Sequence, residues 1–211
     1  MNKQNKIYYI AYIITVVLII QSCGSYHSSV RSTPYTSSFN DGEITLIMEA
    51  DTSRVMRIFQ TDSRNDSIIL RAQSNNVTPD LNDPFLNTLI KRMYTTVTDS
   101  ASLGVGIAAP QVGVSKKVIL VQRLDKPGEP FEAYINPQIL QWTKKKQDCK
   151  EGCLSVPNIN GTTKTRAYAI LIEYYTIYGK KQTEMIEGFT AVIFQHETDH
   201  LNGILFFDHL L

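Results

Sequence analysis

The sequence predicts an α+β domain in which mixed and antiparallel β-sheets pack around a C-terminal helix equipped to bind a metal. Strand-like segments recur between Lys117 and Ile186, a Tyr178-Gly179-Lys180 turn joins the last two, and a helical pattern takes over near Gly188. That helix carries His196, Glu197 and His200 as His-Glu-x-x-His. With 211 residues and 43% hydrophobic composition, the chain is long enough for one cored domain with appendages and too short for two. Its formal net charge of +1, with acids and bases interspersed, leaves no basic footprint, so nucleic acid is not an expected partner. A monomer is expected.

The first segment reads as targeting. Lys3 and Lys6 precede an apolar run from Ile7 to Ile20 of roughly 14 residues, where a spanning helix needs about 20. Residues 1–23 are therefore expected to be a signal peptide. Its end, Ile20-Gln21-Ser22-Cys23, resembles the bacterial lipoprotein signal, with Gln21 the departing position. That resemblance implies lipidation of Cys23 and an exported domain held to the membrane, facing the periplasm or the outside. Residues 24–42, rich in Ser and Thr, read as a tether, and 43–211 as the catalytic domain.

Within the domain, the runs Ile44–Met48 and Met56–Phe59 are expected as short opening strands. Asp83 and Pro84 then start a helix whose Leu86, Leu89, Ile90, Met93 and Val97 recur at three- and four-residue steps. Gly104–Gly113, with three glycines and a proline, is expected to be irregular. Strands are expected at Lys117–Gln122, Phe131–Ile135, Ile139–Thr143, Ala167–Ile177 and Gln182–Ile186. On the last helix Phe189, Val192, Ile193, His196 and His200 form one inward stripe.

Two imidazoles at i and i+4 bind one ion, and the carboxylate after the first is placed to take a proton from water. A third ligand is still needed. In the metzincin pattern it is a histidine three residues beyond the glycine matched by Gly203, but Phe206 stands there and His209 falls three residues too late. Cys153, Glu151 and Cys149 remain as candidates. In an exported protein Cys149 and Cys153 default to a disulfide, which would consume both of them.

GVGIAAPQVG at Gly104–Gly113, EGCLSVP at Glu151–Pro157 and QHETDHLNG at Gln195–Gly203 together resemble the three motifs of the peptide deformylases. The resemblance extends more thinly over 56–208. It implies that Cys153, His196 and His200 hold one divalent metal with water in the fourth position, and that Glu197 is general base and then acid. Gln111 and the Leu154 backbone N–H would stabilise the oxyanion. The substrate implied is an N-formylmethionyl peptide, held along Gly104 and Gly106 with its methionine among Val105, Val192 and Ile193. Cys149 is then expected free, and Gln195, Asp199 and Arg166 are expected to support the ligands. Iron(II) is the metal the resemblance favours, with zinc, nickel or cobalt able to replace it.

Two features depart from the pattern: the export signal, and an end at Leu211 where many bacterial members continue into another helix. Two other readings use the same residues, a zinc peptidase or amidase and a non-enzymatic formyl-peptide-binding lipoprotein.

Overall fold

The computed structural model describes residues 37–80, 82–102 and 104–210. The expected signal peptide, its Cys23 and most of the expected tether lie outside the described residues. Among the described residues, four α-helices, α1 (Asp41–Met48), α2 (Arg64–Leu70), α3 (Pro84–Val97) and α4 (Gly188–Leu201), accompany seven strands. Strands β1 (Gly106–Ala108), β2 (Val118–Gln122), β3 (Phe131–Trp142), β6 (Ala169–Tyr175) and β7 (Lys181–Glu187) form an antiparallel sheet in the order β1-β2-β3-β6-β7. Strands β4 (Cys149–Cys153) and β5 (Val156–Thr163) form a separate hairpin. The expected α+β class is correct.

Within the large sheet, β2 is buried on both faces. Val118 and Leu120 join the cluster of α3, with Leu86, Leu89, Met93 and Val97, while Ile119 and Val121 join the cluster of α4, with Ile193 and Phe194. Alternation along the strand thus feeds two cores. On α3, the Asp83 carboxylate accepts the Phe85 and Leu86 N–H groups at 2.8 and 3.2 Å, and Pro84 occupies the first turn, as its sequence predicts.

Several expectations change. Ile44–Met48 is helical, because Asn40 and Glu43 form a reciprocal capping box that satisfies the first turn of α1 and leaves Ile47 fully buried. Phe39 is also buried in the core, so Ser37–Gly42 belong to the domain rather than to a tether. Met56–Phe59 forms no strand: the Met56 N–H donates to Thr96 Oγ1 and the Phe59 N–H to the Gln111 carbonyl. Gly104–Gly113 is partly regular, supplying β1 and a 3-10 turn at Ala109–Val112. The two segments expected around residue 137 are one strand, β3, interrupted by register shifts after Ile135 and Ile139. Asn136 has φ of 50° there, and Pro137 has no N–H for the ladder. The β4–β5 hairpin was not expected.

Asp66 on α2 is buried, accepts both guanidinium NH2 groups of Arg57 and the Gln60 N–H, and is held at about 2 chiefly by Arg57. A carboxyl lowered from 3.8 in this way adds stability that is complete above about pH 4 and is lost as pH falls towards 2. Asp66→Asn should cost roughly 1–2 kcal/mol in urea unfolding at pH 6, discounted because Arg57 is largely exposed, and the difference from wild type should vanish near pH 2.

Candidate metal centre

Helix α4 places His196 and His200 on one side, their ring centroids 5.1 Å apart. Cys153, at the end of β4, brings its Sγ to 3.2 Å from His200 Nε2, and the three ligand atoms all lie within 4.8 Å of one another. This donor set, one thiolate and two imidazoles, suits a single transition-metal ion. Among the described residues it is the one cluster of three such donors.

The ligands are fixed from behind. His196 Nδ1 donates to Glu151 Oε2 at 2.8 Å, which leaves Nε2 facing the cluster. Glu151 in turn receives Arg166 Nε and NH2 at 2.8 and 2.9 Å, and the Thr163 hydroxyl. Burial works to raise the Glu151 carboxyl, but hydrogen bonds from His196 and Arg166 outweigh it and hold it at about 2. Arg166 NH1 continues to Asp199 at 2.5 Å, and Asp199 accepts from His209 Nε2 at 2.9 Å. Phe206, the residue that breaks the metzincin pattern, lies nearly parallel to the His196 ring at 6.0 Å.

Burial, with His196 next, pushes His200 well below its usual value, so it is neutral and its lone pair is free for a metal. Burial also raises the Glu197 carboxyl to about 7, against the opposing pull of His196 and Arg166. Glu197 Oε2 and His200 Nδ1 are buried without a hydrogen-bond partner. Glu197 has no cationic side chain paired with it among the described residues, so a divalent ion beside it would supply missing positive charge.

A cavity of about 210 Å³ opens over this centre. It is lined by Gly104, Val105, Gly106, Gln111, Cys153, Leu154, Val192, Ile193, His196 and Glu197, which brings every expected ligand, base, oxyanion and substrate residue together except His200, buried behind it. Gln111 Nε2 lies 3.5 Å from Cys153 Sγ and 3.3 Å from Ser155 Oγ, while its Oε1 accepts the Ala108 N–H. Gly106 is required sterically: an added Cβ would fall 2.5 Å from Glu197 Oε1 and 2.9 Å from Ile193 Cγ2.

A family model described as polypeptide deformylase matches residues 55–211. The chain belongs to the polypeptide deformylase family. It is 44% identical over 121 residues to a peptide deformylase of Desulforudis audaxviator, covering 56% of this chain and 76% of that one. It is 40% identical over 147 residues to peptide deformylase 1 of Clostridium perfringens, covering 70% and 95%. A Met-Ala-Ser-bound crystal structure of the class I type b peptide deformylase from Acinetobacter baumannii superposes with a TM-score of 0.65 at 36% identity, covering 74% of this chain and 99% of that one.

Both cysteines of this deformylase domain are free. They end the same five-residue strand, which sets their Cα atoms about 13 Å apart, beyond the reach of a disulfide. Gln195 is buried against the Ala167 backbone, and Asp199 and Arg166 join the ion network, as expected of supporting groups. Glu151 is not a ligand candidate in this geometry but the partner of one. Its two-residue spacing from Cys149 and Cys153, which puts all three on one face of β4, was the available signal. Phe189 departs from the inward stripe: it is 48% exposed and lines the cavity in the first turn of α4, immediately before the buried residues that begin at Thr190. Glu151→Gln should weaken metal affinity about 10- to 100-fold, measured by chelator competition, because His196 loses its anionic partner.

Proposed function

We propose that this chain hydrolyses the formamide at the amino terminus of N-formylmethionyl peptides, releasing formate and a free amine. The observation that carries this is the convergence in one cavity of the Cys153–His196–His200 donor set, the buried Glu197 carboxylate and the Gln111 amide. Cys153, His196 and His200 would hold a divalent ion, which supplies Lewis-acid polarisation of the formyl carbonyl and lowers the pKa of water. We further propose iron(II) as that ion, with zinc, nickel or cobalt as substitutes, since the thiolate and imidazoles accept each of them.

Glu197, buried and raised to about 7, takes a proton from water as its oxygen bonds to the formyl carbon. The same carboxyl then returns the proton to the departing nitrogen as the C–N bond breaks. Gln111 Nε2 and the Leu154 N–H, both on the cavity wall, donate to the oxygen that gains charge. The edge strand β1 and the Gly104–Gly106 backbone offer main-chain pairing to an extended peptide. Val105, Val192 and Ile193 enclose the methionine side chain.

We propose that the protein is a monomer and an exported lipoprotein anchored through Cys23. Support for export comes from the Lys3 and Lys6 charges, the Ile7–Ile20 run and the Ile20–Cys23 sequence. Its substrates would then be exported or released formyl-peptides.

Purified protein in iron(II) or nickel should release formate from formyl-Met-Ala-Ser, and silence with one metal bound would sink the assignment. Glu197→Gln should lower kcat by about 10²–10⁴ with metal content retained. Fractionation of cells should find wild type in the membrane and Cys23→Ala without lipid; equal lipid-free mobility of the two would refute the anchor.

A further inference from the structure

The cavity mouth carries a charge that the hydrolysis leaves unused. Lys150 lines the cavity and is solvent-exposed, and its ammonium makes no hydrogen bond or ion pair with any described residue. The other charged lining residues are engaged or hidden: Glu151 is bound by Arg166 and His196, and Glu197 is buried. Asp148, two residues earlier in the chain, forms no ion pair with Lys150. The free charge presented at this mouth by the described lining residues is therefore a single cation.

Its position along the strand defines what it would meet. β4 pairs with β5 on one side, and no described strand pairs with its other side. Beyond Cys153 the chain turns inward, with Ser155 and Val156 buried, whereas Gly152 and Lys150 line the opening. The open run thus leads from Cys153 towards Lys150. Three residues of strand span about 10 Å, and an extended peptide advances at nearly the same rate. An extended peptide lying along this edge with its formyl carbon at Cys153 would bring its second and third residues towards Lys150.

We infer that Lys150 selects formyl-peptides carrying an acidic side chain at the second or third residue. This rests on the deformylase reading and adds the substrate class to it. A lysine ammonium is a flexible, strongly hydrated point charge, so its preference is electrostatic and sensitive to salt rather than to shape.

The test is kcat/KM for nickel-loaded full-length protein on C-terminally amidated peptides: formyl-Met-Ala-Ser as the neutral reference, and versions with Glu or Lys at residue two or three. Wild type should favour Glu over Lys about three- to fivefold at one of these positions at low salt, and the ratio should approach one at about 0.5 M salt. Lys150→Met should abolish the ratio, and Lys150→Glu should invert it. Equal rates for the Glu and Lys peptides in wild type, or a preference that survives in both variants, would overturn the inference while leaving deformylation intact. Absence of formate from every peptide would overturn the deformylase reading and this inference with it.

Discussion

The site depends on one buried carboxylate. Glu151 accepts hydrogen bonds from His196, from two nitrogens of Arg166 and from Thr163, and so joins β4, β5, the segment entering β6, and α4. These elements come from distant parts of the sequence, and the hairpin belongs to a different sheet from the rest. Without an anion at this point, Arg166 would be a buried charge facing only Asp199, and His196 would lose the partner that fixes its ring. With it, a proton or a metal ion is drawn to the opposite face of His196. The price of a buried ion network is desolvation, and here each charge has a partner that offsets it.

The two sheets then have separate tasks. The five-stranded sheet packs the Ile119–Val121 face of β2 against α4 and, among the described strands, presents β1 as an edge beside Glu197. The hairpin delivers Cys153 and Leu154 from the other side, and the 3-10 turn after β1 delivers Gln111. Helix α4 ends just after its second ligand, where Gly203, at φ of 71°, sits against the Arg71 carbonyl with no room for a side chain. The chain then turns back so that Phe206 covers His196. A residue that disqualifies one zinc-peptidase pattern thus has a packing role in this one.

Much of this was legible in the sequence because it rests on local periodicity. The α4 stripe from Val192 to His200, the Asp83–Pro84 start of α3 and the strand at β2 follow from spacing alone. Helix α1 was misread because a short apolar run fits either period, and the deciding contact is the Asn40–Glu43 box at its edge. The hairpin escaped notice because Lys150, Glu151 and Gly152, like Asn158, Asn160 and Gly161, lack β-branched alternation; their pairing is made by tertiary contact. Cys153 emerged as third ligand only through the resemblance of three motifs, since spacing left Glu151 and Cys149 equally open. The geometry separates them by contact: Cys153 Sγ lies beside His200 Nε2, Glu151 is bound by Arg166 and His196, and Cys149 is not among the clustered donors.

The most direct test is a titration of metal-free protein with nickel(II), following formate release from formyl-Met-Ala-Ser and the sulfur-to-nickel charge-transfer absorption in the same samples. Both signals should rise together and level at one equivalent, and both should be lost in Cys153→Ala. Formate release that reaches its maximum without the thiolate band, or that persists in Cys153→Ala, would contradict a Cys153–His196–His200 centre.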